Sequence, residues 1–147
     1  MTLVTERHVS VMPQEVLDHL EVKPGRWYVD CTFGAGGHAR RVLALGGKVL
    51  AIDQDPHVAE DLRTDPAWRA ALAADDLRFA HGNFRDIERL AFEQGVREAD
   101  GVLMDLGVSS MQLDEEDRGF AFRKDGPLDM RMHGEGESAA DVVNTYP

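Results

Sequence analysis

The sequence is poor in cysteine, in long apolar runs and in positive charge. The single cysteine, Cys31, excludes an internal disulfide. No apolar run approaches the roughly 20 residues of a membrane-spanning helix, and the first eight residues lack the hydrophobic stretch of an export signal. We therefore expect a cytoplasmic protein without a membrane partner. With 147 residues, 43% of them hydrophobic, the chain should bury enough surface for one ordinary globular domain.

Acidic residues outnumber basic ones, above all in the second half of the chain. Residues 1–74 hold 8 basic and 10 acidic side chains, whereas residues 75–147 hold 8 and 17, which gives a formal net charge of -11. Such a chain binds a polyanion poorly unless a further segment or a partner supplies positive charge.

The spacing of potential metal ligands does not favour a metal site. The six histidines are dispersed, and no cysteine accompanies them as in a zinc site. The acidic run 114–117 is compatible with a divalent cation but is more typical of a solvated turn. We expect no metal.

Strand-like and helix-like segments alternate along the chain. Four short apolar or β-branched runs, at 27–32, 48–52, 77–80 and 100–106, predict buried strands, with Cys31 as a small core residue of the first. Helices are predicted at 12–20, 38–45, 56–63, 66–73 and 86–94, with Asp55 and Asp65 as N-caps ahead of prolines. Helices between consecutive strands indicate parallel crossovers. The pattern predicts an α/β fold with a doubly wound parallel sheet.

Periodicity is lost after the fourth strand. Residues 107–136 are rich in Gly, Ser, Asp, Arg and Met. A loop of this length without regular structure is uncommon in a compact domain unless it is functional or pairs with another segment. Ser138 and Asp141 then form an S-x-x-D pattern, which predicts the start of another helix.

The residues after the first strand fit the glycine fingerprint G-x-G-x-x-G/A. Gly34, Gly36 and Ala39 occupy its fixed positions, and Asp53 follows Gly34 by 19 residues, at the end of the next strand. Glycines let the backbone approach a ligand, and the first turn of a helix presents unpaired N–H groups. An acid at the end of the second strand can accept both hydroxyls of a ribose. The pattern favours nucleoside binding over a merely tight turn.

Other residues at the strand ends bear on which nucleoside cofactor binds. Asp30 precedes the glycine loop, where a carboxylate repels a pyrophosphate but can attract a positive cofactor or simply cap the loop. Asp105 ends the fourth strand and faces the same crevice, unless it only caps Ser109 or Ser110. Phe84, after the third strand, either lies against an adenine or packs in the core. NAD and S-adenosylmethionine both remain compatible with this corner of the sheet.

Four stretches of the sequence are recognisable together. They are DCTFGAGGH at 30–38, AIDQDP at 51–56, LMDLGVSS at 103–110, and RGF followed by GPLDMRM within 118–132. From about His8 to Pro147 the chain resembles the bacterial 16S ribosomal RNA cytosine-N4 methyltransferase H family. The resemblance implies a class I, Rossmann-like methyltransferase that uses S-adenosyl-L-methionine to methylate a cytidine in the decoding region of the small subunit.

The resemblance also assigns roles to individual residues. By it, the cofactor contacts are Gly36, Gly37, His38, Asp53, Phe84, Asp105 and Gln112. We further expect Asp105 to be catalytic, as an acceptor for the cytosine amine, because of its place at the end of the fourth strand. The chain departs from the family pattern at Met111, where the family has proline, so no proline ring fixes the backbone before Gln112.

The family resembled is about twice as long, which implies a division of this chain. Residues 1–110 are expected to form the cofactor-binding core, and residues 111–147 an active-site loop and the start of a helical insertion. The chain would then be an N-terminal fragment that lacks the basic C-terminal region, and the far edge of the fourth strand would be exposed.

The expected partner is 16S ribosomal RNA or the small ribosomal subunit, and a homodimer is compatible with the sequence. Arg118, Phe120, Arg123 and Lys124 suit contact with a displaced base, although an ordered lid explains them equally well. Two alternatives stay open: an NAD-dependent oxidoreductase, and a fragment that binds cofactor without turnover.

Overall fold

Four parallel strands form the centre of the molecule in a computed structural model that describes residues 10–147. They are β1 (Trp27–Asp30), β2 (Lys48–Asp53), β3 (Leu77–His81) and β4 (Gly101–Leu103), in the order β3-β2-β1-β4. Because β4 pairs with β1 rather than with β3, the strand order reverses between β1 and β4. The predicted Rossmann-like, doubly wound sheet is confirmed. Residues 1–9, where no export signal is expected, lie outside the described residues.

The predicted helices are present, with ends that differ from the predicted ones by at most one residue. They are α1 (Pro13–Leu20), α2 (Gly37–Ala44), α3 (Pro56–Thr64), α4 (Pro66–Ala73) and α5 (Ile87–Glu93). Asp55 and Asp65 cap α3 and α4 as predicted, since each side chain accepts a hydrogen bond from the N–H two residues further on. No helix within residues 10–147 has both the length and the apolar character that a bilayer crossing requires.

Two apolar clusters cover the two faces of the sheet. Successive residues of a strand point to opposite faces, so β2 contributes Val49 and Ala51 to one cluster and Leu50 and Ile52 to the other. The first cluster includes residues of α2, α3 and α4, and the second includes Leu90 of α5. Burial on both faces explains why this strand is a continuous apolar run in the sequence.

Two strands are shorter than predicted. β1 stops at Asp30, and β4 covers only three residues of the predicted 100–106. The ladder ends there because the N–H of Asp105 donates to Thr32 Oγ1 at 2.8 Å, and not to a backbone carbonyl of β1. Cys31 consequently follows β1, although it is buried in the core as predicted. Within residues 10–147, β4 is an edge strand of the sheet, and its Val102 is 50% exposed.

Residues 107–136 contain more regular structure than their composition predicts. Helix α6 (Ser110–Asp114) and a 3-10 turn (Glu116–Arg118) lie within them. The reason is a capping box, in which Ser109 Oγ accepts from the N–H of Gln112 and Gln112 Oε1 accepts from the N–H of Ser109. The helix predicted from Ser138 is also present, as α7 (Ala139–Thr145).

Candidate functional site

The glycine loop between β1 and α2 lies against the side chains of Phe33 and Trp68. The rings of Phe33 and Trp68 pack edge to face, with centroids 5.1 Å apart. Gly36 has a φ of +76°, and a Cβ at this position would lie 2.3 Å from Trp68 and 2.7 Å from Phe33. Only glycine therefore fits here without a shift of these two rings. Gly36 is the N-cap of α2, and Gly37 is its first residue, so the first N–H groups of α2 belong to this loop.

Asp53 joins the glycine loop to the end of β2. Its Oδ2 accepts from the N–H of Gly34 at 2.8 Å, and its Oδ1 accepts from the N–H of Asp55 at 2.9 Å. Each carboxylate oxygen has a second acceptor position for a ligand hydroxyl. Burial raises the pKa of Asp53, and these two backbone bonds oppose that shift. Asp53 and the glycine loop are thus joined by a direct hydrogen bond, and the predicted contact of Asp53 with a ribose stays a prediction.

Three carboxylates interact at the carboxyl ends of β1, β2 and β4. Asp30 is only 5% exposed, and burial raises its pKa to about 7. A hydrogen bond from the N–H of Thr32, at 3.1 Å, opposes the shift, whereas the charges of Asp53 and Asp105 add to it. Asp30 therefore caps the loop, as one sequence interpretation holds, and it lies near enough to Asp53 and Asp105 for their charges to act on it.

Asp105 is held by its backbone, and its side chain is 43% exposed. The imidazole of His38 is buried, with Nε2 lying 3.9 Å from Asp105 Oδ2. Ser109, one of the two serines that Asp105 is alternatively expected to cap, is itself the N-cap of α6. Thr32, which fixes Asp105, is a residue that sequence reasoning missed. Its 73-residue separation from Asp105 leaves no local signal.

Phe84 packs partly in the core. It begins a 3-10 turn after β3 and contacts the cluster on the α5 face of the sheet, while remaining only half-buried. Asn83 donates from Nδ2 to Gln54 Oε1 at 2.9 Å and so ties this turn to the end of β2. The core interpretation of Phe84 accounts for part of the ring, and the rest is accessible to a ligand.

Gln112 is buried and hydrogen-bonded to Asp55. Its Nε2 donates to Asp55 Oδ2 at 3.1 Å, and Arg118 Nη2 donates to the same oxygen at 3.0 Å. Sequence reasoning identified Asp55 only as a helix cap and missed its pairing with Gln112 and Arg118. The S-x-x-Q pattern of Ser109 and Gln112 is a local signal for the capping box that begins α6. Phe120 is buried while Arg123 and Lys124 are exposed, so the lid interpretation fits Arg118 and Phe120 better than contact with a base.

Acidic and histidine side chains do not converge as metal ligands in the described part of the chain, where no group of three or more could hold an ion. The acidic run 114–117 spans the end of α6 and the 3-10 turn and is exposed. The groups at this edge of the sheet that could contact a ligand are carboxylates, backbone N–H groups and the Phe84 ring.

Comparison with known proteins gives a consistent result. A family model described as the MraW methylase family matches residues 5–147. The chain is 50% identical over 138 residues to "Ribosomal RNA small subunit methyltransferase H" of Sphingopyxis alaskensis, covering 94% of this chain and 41% of that protein. Proteins of the same name from Parvibaculum lavamentivorans and Deinococcus deserti are 50% and 48% identical, over 95% of this chain and 40% and 44% of their own lengths. The chain thus spans about two fifths of these curated relatives.

Proposed function

This chain belongs to the MraW methylase family, and from that premise we propose that it forms the cofactor-binding part of an S-adenosylmethionine-dependent ribosomal RNA methyltransferase. The observation that carries the proposal is the hydrogen bond between Asp53 and Gly34 at the carboxyl edge of the sheet. It joins the two elements that a nucleoside needs, a close-approach loop and a ribose acceptor. The finer proposal is methylation at N4 of a cytidine in the decoding region of the small subunit.

The charge of the crevice favours a sulfonium cofactor over NAD. The charges of Asp53 and Asp105 both act on the carboxyl of Asp30 and add to the rise of its pKa. A diphosphate placed among them would meet like charges in a partly desolvated site, where Coulomb energies are larger than in water. A sulfonium or an ammonium group would instead be attracted. The three carboxylates therefore fit the group that the family implies.

We assign the proposed contacts by the chemistry of each residue. Asp53 would accept hydrogen bonds from the ribose hydroxyls, and the accessible part of Phe84 would lie against the adenine. The N–H of Gly37 would hold the carboxylate of the methionine moiety. The N–H of Gly36 already donates to the carbonyl of Phe33 at 2.7 Å, so Gly36 would contribute by letting the backbone approach the ligand closely. His38 would keep Asp105 in place, and Gln112 would border the same edge.

Asp105 has the proposed catalytic role. When bound, the cofactor would supply an electrophilic methyl group and leave as a neutral thioether, and the proton lost by the acceptor amine would pass to solvent water. The partly exposed carboxylate of Asp105 can accept a hydrogen bond from that amine and so stabilise the positive charge that develops on its nitrogen. Its fixed backbone, anchored on Thr32, keeps this acceptor oriented before the substrate arrives.

Calorimetric titration of this chain with S-adenosylmethionine and with NAD tests the cofactor. We expect binding of the former only, and about 10-fold to 100-fold weaker binding by Asp53→Asn, since charge-assisted hydrogen bonds contribute roughly 1.5–3 kcal/mol. Asp76→Asn is the matched control, because Asp76 lies before β3 at the opposite end of the sheet. Tighter binding of NAD than of S-adenosylmethionine would refute the proposal.

The substrate is tested with labelled cofactor and isolated small ribosomal subunits. The chain should be compared with a form extended to the length of its relatives, followed by nucleoside analysis of the RNA. The expected product of the extended form is N4-methylcytidine, and Asp105→Asn should slow its formation. Label in another nucleoside would overturn the finer assignment and leave the cofactor assignment standing.

A further inference from the structure

Asp55 is a buried carboxylate that serves two distant parts of the chain. As the N-cap of α3, its Oδ1 accepts from the N–H of His57 at 3.1 Å. Its Oδ2 accepts from Gln112 and Arg118, which lie 57 and 63 residues further along. Burial alone would raise the pKa of Asp55, but the bonds from Arg118, Gln112 and His57 hold it below its usual value. The carboxylate is therefore ionised and fully engaged at neutral pH.

Arg118 extends this contact to a third segment. Its side chain is only 14% exposed, and Nη2 also donates to the carbonyl of Met132 at 2.9 Å, while Nη1 lies 2.9 Å from His57 Nδ1. The carbonyl of Arg118 accepts from the N–H of Met130 at 3.1 Å. One arginine thus joins the start of α3, the turn after α6 and the backbone around residue 132.

The segment held in this way lies along the proposed cofactor edge. Gln54, next to Asp53, donates from Nε2 to Met132 Sδ at 3.3 Å and accepts from Asn83 at 2.9 Å. The backbone N–H of Asp55 also binds Asp53 Oδ1. The residues that dock 109–132 are therefore immediate neighbours of the residues proposed to hold the nucleoside.

We propose that Asp55, Gln112 and Arg118 form a clamp that seats residues 109–132 on the carboxyl edge of the sheet and thereby sets the affinity for the cofactor. They act as positioning residues, and Gln112 acts through Asp55. This inference rests on the proposed function for the identity of the ligand. A buried charge that loses its partner is strongly unfavourable, and lysine cannot reproduce the planar fork of arginine. The clamp should therefore tolerate neither loss of charge nor loss of shape.

The test combines hydrogen exchange with cofactor titration of the 147-residue chain. In Arg118→Met we expect amide exchange at 109–118 and 130–132 to accelerate at least 10-fold while the exchange of β2 is unchanged. Affinity for S-adenosylmethionine should fall at least 10-fold. Arg118→Lys, which keeps the charge, should give a smaller loss and serves if the methionine variant does not fold. Arg123→Met, an exposed arginine of the same segment, is the control and should match the wild type in both measurements.

A double-variant cycle separates a clamp from two unrelated effects. Asparagine is a good N-cap, so Asp55→Asn retains the α3 contact but not the charge. If the two residues act together, Asp55→Asn with Arg118→Met should lose much less affinity than the product of the single losses. Multiplicative losses would overturn the clamp.

The other outcomes are also decisive. Unchanged exchange in Arg118→Met would show that the contact does not seat the segment. Accelerated exchange with wild-type affinity would show that seating does not control binding. If the wild-type chain does not bind S-adenosylmethionine, the proposed function and the affinity part of this inference both fail. The hydrogen-exchange comparison would then still show whether Arg118 holds residues 109–132 in place.

Discussion

Replacing Asp30 with asparagine should stabilise the protein, and by an amount that grows with pH. Burial raises the pKa of Asp30 from 3.8 to about 7. At about 1.4 kcal/mol for each pH unit, this shift corresponds to about 4 kcal/mol. Because the folded-state pKa is the higher one, protonation favours the folded state. Below pH 3.8 the Asp30 carboxyl is protonated in both states. The free energy of unfolding then falls as the pH rises from 3.8 to about 7.

Asparagine does not titrate, and it can still accept the hydrogen bond from the N–H of Thr32. The stability gain of Asp30→Asn should therefore be about 2 kcal/mol at pH 5 and about 4 kcal/mol at pH 8. Urea denaturation of both proteins at the two pH values measures this difference directly. An equal gain at pH 5 and pH 8, or no gain at pH 8, would refute the claim that the native state holds this carboxylate at a raised pKa.

Further predictions concern the loop, the core and the sheet edge. Gly36→Ala and Gly25→Ala introduce a Cβ at nearly the same φ, +76° and +75°, but only the former meets Trp68. Gly25→Ala should cost about 1–2 kcal/mol and Gly36→Ala about 1–3 kcal/mol more; equal denaturation midpoints would contradict the close approach. Burial raises the pKa of the Cys31 thiol to about 11. A thiol reagent at pH 8 should therefore label Cys31 only at the rate at which the protein unfolds. Immediate labelling would contradict its burial. Val102→Lys on the open edge of β4 should reduce self-association at high concentration, measured by light scattering; unchanged scattering would exclude that edge as the contact.

Local signals made most of the fold predictable. Alternation of apolar runs with Asp-Pro caps was sufficient for the strands and helices, because caps at Asp55 and Asp65 depend on residues two positions away. The expectation that the ends of the first and fourth strands face one crevice followed from the doubly wound order. The site acids were predictable for the same reason, since parallel strands bring their carboxyl ends to one edge.

Contacts between side chains distant in the sequence were not predictable. The early end of β4 depends on Thr32, and the burial of Gln112 depends on Asp55. Neither pair has a characteristic spacing. The predicted division of the chain after residue 110 stays a prediction, although Gln112 and Arg118 contact the N-terminus of α3 directly.

The central claim is that the carboxyl edge of this sheet holds an adenosyl sulfonium. A crystal structure of the chain with S-adenosylmethionine tests it most directly. We predict the ribose hydroxyls within hydrogen-bonding distance of Asp53, roughly 2.5–3.2 Å, and the sulfonium on the side of Asp105. Density for the ligand in the neighbouring groove of about 330 Å³ between Arg40, Asp61 and Trp68, with Asp53 bound only to backbone N–H groups, would contradict it.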